Sequence, residues 1–225
     1  MPVAVVVFDL YGTLLAIDAM RMHVAAAGVH DPGPFVAEWR RKQLEYTFLT
    51  TVANVYRDFD ELTADALAFT CAQRDVALNA ETQRALTRAW RTMPAYGDVA
   101  NALQTLAAKS IPLAVLTNGT PSSANTALEH VGVRALLTDV LSVDSVRAYK
   151  PDPRVYALAT ARFACPPNEI VFVSSNAWDA WGAAAFGFRV AWCNRAGNAA
   201  EKLSPAPEAT LAGLHELPSF VARAE

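Results

Sequence analysis

The run Val3–Phe8 constrains this chain more than any other feature. All six residues are apolar, and the run ends at an acid, Asp9. No polar side chain alternates with the apolar ones, so an extended strand here has no face suited to water. Such a strand belongs in the middle of a parallel sheet with helices covering both sides. It is too short for a membrane span, and no other stretch of the chain approaches the ~20 apolar residues one requires. Met1-Pro2 leads straight into it, so the start reads as a buried strand rather than a secretory signal. Three later runs share its character: Ile111–Leu116, Glu169–Ser174 and Phe188–Trp192. Helical patterns lie between them, over Ser122–Val131, Pro153–Arg162 and Trp178–Phe186. This alternation predicts βαβ units and an α/β, Rossmann-like doubly wound parallel sheet. A short apolar stretch near Ala209–Leu214 is expected to add an edge strand.

From about Ile17 to Met93 the strand-like runs disappear. Phe35, Val36, Trp39, Leu44, Phe48, Leu49 and Val52 are expected to share one face of a long helix. Leu62, Ala66 and Phe69 make a second such set, and Leu86 with Trp90 a third. Pro32-Gly33-Pro34 and Met93-Pro94 punctuate the region. The expected organisation is a core of residues 1–15 and 96–225, with residues 16–95 inserted as a helical-bundle cap. At 225 residues and 53% hydrophobic, the chain can bury a sizeable core. Its net charge of −3 argues against a nucleic-acid partner. Cys71, Cys165 and Cys193 are odd in number and lack CxxC spacing, which fits reduced thiols in a cytoplasmic protein better than a disulfide frame or zinc site. His23, His30, His130 and His215 show no ligand spacing.

In an open parallel sheet, ligands bind beyond the carboxyl ends of the strands. Polar clusters stand at three of those ends: Asp9 to Thr13, Thr117-Asn118-Gly119, and Ser174 to Asp179. A fourth, Tyr149-Lys150-Pro151-Asp152, opens a helix. Taken singly each has an ordinary reading, since an Asp after a strand is usually a turn or cap residue and a lone Lys a solvated charge. Together they are expected to converge on one crevice.

That combination resembles the haloacid dehalogenase superfamily. It has an Asp nucleophile after the first strand, Ser or Thr after the second, Lys before a helix and an acidic cluster after the fourth. Asp9, Thr117, Lys150 and Asp179 stand in those places in order. The resemblance implies a Rossmann-like core with a mobile cap. Most members are magnesium-dependent phosphatases carrying Asp-x-Asp, whose second acid protonates the leaving alcohol. Here Tyr11 replaces that acid, and Ser174-Ser175-Asn176 replaces most of the metal-binding acidic cluster. A halide departs without a proton, so the missing acid is compatible with dehalogenation. Phe8–Thr13, Ser174–Asp179 and the cap stretch Trp39-Arg40-Arg41-Lys42-Gln43-Leu44-Glu45-Tyr46 resemble the L-2-haloacid dehalogenase branch.

The resemblance implies hydrolysis of short (S)-2-haloacids to (R)-2-hydroxyacids through an ester on Asp9, with no metal or other cofactor. It implies Arg40, Asn118 and Trp178 around the departing halide. Thr117, nearby backbone amides and Tyr11 are candidates for the substrate carboxylate. Lys150 is expected to offset Asp9 and the substrate, and Asp179 to activate water with Ser174 and Asn176. Thr13 and Tyr156 are expected beside Asp9 and Lys150, Tyr156 standing near the substrate. Periodicity separates successive helical residues by about 100°, so Arg40, Arg41 and Lys42 cannot all enter one pocket. Phe59 is a further candidate for the cleft wall. Rival readings are a magnesium-dependent phosphomonoesterase, a hydrolase of azetidine-2-carboxylate type, and a non-catalytic binding module. The family also suggests a homodimer.

Overall fold

The computed structural model describes residues 3–224. Among the described residues one parallel sheet forms, built from β1 (Val5–Phe8), β2 (Leu113–Thr117), β3 (Asp139–Ser142), β4 (Ile170–Ser174), β5 (Arg189–Cys193) and β6 (Ala209–Leu211). The strand order is β3-β2-β1-β4-β5-β6, so β1 is central. Every residue of β1, β2 and β4 is buried, as strands covered on both faces must be. The register aligns Phe8 with both Val115 and Val173, which brings the ends of three strands to one level.

Four helices follow β1: α1 (Met20–Ala26), α2 (Pro32–Val52), α3 (Phe59–Gln73) and α4 (Ala80–Ala89). They form the inserted helical cap. Asp58 and Asn79 cap α3 and α4 by accepting the backbone N–H groups of Glu61 and Thr82. Where the chain leaves and rejoins the sheet its two arms lie side by side. Leu15 bridges Ala95, and Ala16 N–H and Tyr96 N–H donate to the carbonyls of Pro94 and Leu14. The chain continues through α5 (Val99–Ala107), α6 (Pro121–His130), α7 (Pro153–Phe163), α8 (Ala177–Phe186) and α9 (Leu217–Ala224). Pro at the first turn and an Asp or Thr cap start α6 and α7 where expected. No helix among the described residues is long and apolar enough to cross a membrane. The three cysteines are free thiols.

Some expectations need correcting. The strand expected at Ile111–Leu116 begins at Leu113, because Pro112 supplies only its carbonyl, which accepts from Val6 N–H. The edge strand near Ala209–Leu214 stops at Leu211. β3 was not expected at all: it is a four-residue edge strand, half-buried over three of its positions, and it begins with Asp139. The long helix does not bury one continuous apolar face. Phe35, Val36 and Trp39 are buried, but further along α2 buries Lys42, Gln43 and Thr47 and leaves Leu49 and Val52 exposed.

Candidate active site

Asp9 is the first residue beyond β1, and its N–H donates to Val173 of β4, so the sheet itself aims the carboxylate. Gly12, at a φ of 93°, then turns the chain sharply beneath it. Asp9 Oδ2 accepts from the Thr13 hydroxyl at 2.9 Å and from Asn176 Nδ2 at 2.8 Å. Oδ1 accepts from Lys150 Nζ at 3.0 Å. The same ammonium donates to Asp179 Oδ2 at 2.9 Å, and Tyr156 OH donates to Asp179 Oδ1 at 2.8 Å. Asp179, Lys150 and Tyr156 are all buried. Lys150 is held by its backbone as well, its N–H donating to Asn118 Oδ1 at 3.1 Å. Gly182 of α8 makes room for this arrangement, since a Cβ there would lie 2.6 Å from both Tyr156 OH and Pro151 Cβ.

Burial pulls the Lys150 ammonium toward deprotonation, but Asp179 and Asp9 outweigh it and hold its pKa above the ordinary lysine value. Burial raises the Asp179 carboxyl above its usual range, and the contacts with Lys150 and Tyr156 only partly offset this. Burial, reinforced by Asp179, pushes the Tyr156 phenol well upward, so that hydroxyl remains a donor. The result is two carboxylates with one shared ammonium, one of them surrounded by donors and the other inclined to take up a proton.

On the opposite wall Tyr11 of the core packs against side chains of the cap. Tyr11 is buried, stacks on Phe59 at 5.7 Å and meets the edge of Trp90 at 6.0 Å. Burial, then Asp60, drives its phenol upward, so it too stays protonated. Arg40 lies over Trp90 at 5.8 Å and donates to Gln43 Oε1 at 2.6 Å. Gln43 in turn donates to Thr63 Oγ1 of α3 at 2.6 Å. Burial lowers the Arg40 pKa to about 10 against the opposing pull of Asp9, Tyr11 and Asp179, so it is charged at neutral pH within their field. Its Nε is buried without a partner. Arg41 faces solvent and pairs with Glu45, whereas Lys42 is buried against the Phe69 ring at 4.0 Å, away from Asp9.

Of the remaining expected residues, Thr117, Asn118, Ser174 and Tyr156 are buried and Trp178 is half-buried. Thr117 Oγ1 accepts from Gly119 N–H at 3.0 Å, and Gly119 approaches Tyr11 so closely that a Cβ would lie 2.8 Å from its ring. Asn118 Nδ2 has no protein partner among the described residues and is free to donate. Ser174 Oγ accepts from Asn176 N–H at 3.1 Å, which shapes the turn that presents Asn176. Tyr156 is directed at Asp179, not at open space. Trp178 is half-buried, lies edge-on to Phe48 at 5.3 Å, and lines a cleft of about 500 Å³ with Tyr149, Lys150 and Trp181. Among the described residues no hydrogen bond or ring contact joins it to Arg40 or Asp9.

Sequence reasoning passed over Gln43 and Trp90, which hold Arg40, and Gly182, which admits Tyr156. It also passed over Ser142, whose hydroxyl donates to Gly119 O at 2.8 Å. Only Gln43 carried a local signal, one turn beyond Arg40 on the same helix.

Fold and site together define a class: a Rossmann-like α/β protein with an inserted helical cap, whose central strand delivers a buried aspartate to a lysine. Residues 3–187 match the family model of the haloacid dehalogenase-like hydrolases, and the chain belongs to that family. It is 40% identical to an (S)-2-haloacid dehalogenase of Pseudomonas sp. (strain YL), over 90% of this chain and 88% of that one. It superposes on the crystal structure of the L-2-haloacid dehalogenase RSc1362 with a TM-score of 0.96, at 34% identity over 99% of this chain and 100% of the other. Against the L-2-haloacid dehalogenase of Xanthobacter autotrophicus with chloropropionic acid covalently bound, the TM-score is 0.93, at 29% identity over 98% of each chain.

Proposed function

We propose that this protein hydrolyses short (S)-2-haloacids to (R)-2-hydroxyacids and halide, with Asp9 as the nucleophile and without a metal. The observation that carries the reading is the Asp9–Lys150–Asp179 triad, which joins a donor-wrapped carboxylate to a second carboxylate suited to proton transfer. The dehalogenase relatives supply the substrate class, and the covalently bound chloropropionic acid of one of them supports an ester intermediate.

Oδ2 of Asp9 accepts from two groups other than Lys150, and Oδ1 accepts from Lys150 alone. Oδ1 is therefore the oxygen that attacks. It bonds to the substrate α-carbon from the side opposite the halogen, and the halide leaves with the electron pair of the broken bond. Arg40 and the free amide of Asn118 donate to the emerging halide, and Trp178 shields that side. Thr117, adjacent backbone N–H groups and Tyr11 hold the substrate carboxylate. A closed cap keeps water from solvating Oδ1, whose reactivity depends on being poorly hydrated.

In the second step water adds to Cγ of Asp9 and gives a proton to Asp179. Negative charge develops on Oδ2, where Thr13 and Asn176 already point. The Cγ–Oδ1 bond then breaks, and Oδ1 departs with the product. Lys150 protonates it, and Asp179 returns a proton to Lys150. Asp9 is regenerated with one oxygen from water and releases the second proton to solvent. Splitting one displacement into two steps lowers both barriers.

Within this reading the cap comprises residues 16–95 and opens about the paired arms at Leu15 and Ala95. The protein works in the cytoplasm, where its thiols stay reduced. It is a homodimer, a reading supported by the exposed apolar side chains of Leu49, Val52, Val55 and Leu203; light scattering tests this directly. The activity itself is tested by halide release from L-2-chloropropionate in the presence of a chelator. Asp9→Asn is expected to lose at least about 10³-fold in kcat once slow deamidation is controlled. Phosphate release that requires magnesium, with no halide release, would place the chain among the phosphatases instead.

A further inference from the structure

Behind the turn that carries Asn176 lies a chain of contacts that the proposed mechanism does not use. Arg195 follows β5, and its Nη1 donates to Ser175 Oγ at 3.1 Å. Its Nη2 donates to Asp98 Oδ1 at 3.0 Å, and its guanidinium lies 4.1 Å from the centre of the Tyr96 ring. Asp98 is fixed in turn, since its Oδ2 accepts from Leu214 N–H at 2.7 Å. Ser175 is thus held on several sides. Its carbonyl accepts from Trp192 Nε1 at 3.2 Å, and its N–H donates to Thr13 Oγ1 at 2.8 Å. Because Thr13 accepts that N–H, its own hydroxyl proton is left to point at Asp9 Oδ2. The next residue along, Asn176, is the other donor to Oδ2.

We infer that Arg195, clamped by Asp98, is a positioning residue for the hydrolytic half of the reaction, acting through Ser175 on both donors to Asp9 Oδ2. The inference rests on the function proposed above. Arg195 Nε is buried without a partner, an unfavourable placement for an arginine that served only as a surface ion pair. The guanidinium also borders a cavity of about 160 Å³ shared with Gly12, Ser175 and Asn176.

The selectivity between half-reactions follows from where charge moves. During attack on the haloacid, negative charge leaves Asp9 for the halide. Donors at Oδ2 then stabilise the starting carboxylate more than the transition state, and loosening them does not slow the step. During ester hydrolysis negative charge is created on Oδ2, and donors set slightly out of line lose much of their effect.

The test is rapid quench of the protein with excess L-2-chloropropionate, following halide release and the mass of the ester on Asp9. Arg195→Met is expected to release one halide per site at close to the parent rate. Ester should then accumulate, because its hydrolysis slows by about tenfold. Arg195→Lys restores part of that rate by keeping a donor near Ser175. Asp98→Asn, which keeps an acceptor for Leu214 N–H, gives the same accumulation and decides the matter if Arg195→Met does not fold. Ester that turns over at the parent rate in folded variants overturns the inference, as does an equal slowing of both steps. A parent protein that releases no halide would instead overturn the proposed function.

Discussion

At the scale of single residues, Lys150, Asp179 and Tyr156 form one buried hydrogen-bonded chain behind Asp9. In the proposed mechanism Asp179 takes a proton from water, which it does only when ionised, and burial holds its pKa above the ordinary carboxylate range. The rate of ester hydrolysis therefore falls as pH drops through that raised value, and is fully present only above it. Lys150 acts in the opposite sense. Its pKa is raised by Asp179 and Asp9, so its charge persists through neutral pH and is lost only above the ordinary lysine value. Tyr156 OH is one of the contacts that lowers the Asp179 pKa. Tyr156→Phe removes that contact, and the acid limb of the kcat profile is expected to move to higher pH while the alkaline limb stays in place. A pH–rate profile of parent and variant checks this; an acid limb that stays put would remove Asp179 from the base role.

At the scale of elements, α8 sets the distance between Tyr156 and the Lys150 loop. Gly182→Ala would place a methyl group 2.6 Å from Tyr156 OH and from Pro151 Cβ, and neither can withdraw without disturbing Asp179 or Lys150. The expected cost is about 2 kcal/mol, or about 4–8 °C in Tm, accompanied by a lower kcat. Calorimetry with steady-state kinetics measures both, and an unchanged kcat would show that the α7–α8 contact does not set the Lys150 geometry.

The elements also differ in how openly the sequence displays them. β1 and β4 are legible because strands buried on both faces have no polar positions, and strand-end residues converge once the sheet order is known. β3 is not, because a half-buried edge strand shows no such run. α2 is legible at Phe35, Val36 and Trp39 but not beyond, where it buries a polar set that includes Gln43 bound to Thr63. Asp9, Lys150 and Asp179 stand at strand and helix ends, where pattern and chemistry coincide. The partners that orient them do not, because Arg195 with Ser175 and Gly182 with Tyr156 meet only through the fold.

At the scale of the whole molecule, cap and core are joined by a few polar contacts around the site. Asp60 of α3 accepts from Thr120 at 3.0 Å and from Ser123 at 2.7 Å. Tyr149 N–H donates to Thr51 Oγ1 at 3.0 Å, and Tyr149 OH to Arg57 O at 2.6 Å. Tyr56 also donates to Asp144. Asp60 adjoins Phe59, which covers Tyr11, so its contacts with α6 hold that wall closed. Asp60→Ala is expected to cost about 1 kcal/mol of closure, raising KM for a 2-haloacid about fivefold with little change in kcat. Steady-state kinetics, with hydrogen exchange at Phe59–Gln73, measures both; an unchanged KM would mean that α3 needs no such anchor.

The central claim is that a side-chain oxygen, not water, bonds first to the substrate carbon. Single turnover with enzyme in excess, in heavy-oxygen water with L-2-chloropropionate, tests it most directly. The account predicts a first lactate carrying ordinary oxygen, with the heavy isotope retained in the carboxylate of Asp9. Heavy oxygen in that first lactate, and none in Asp9, would contradict it.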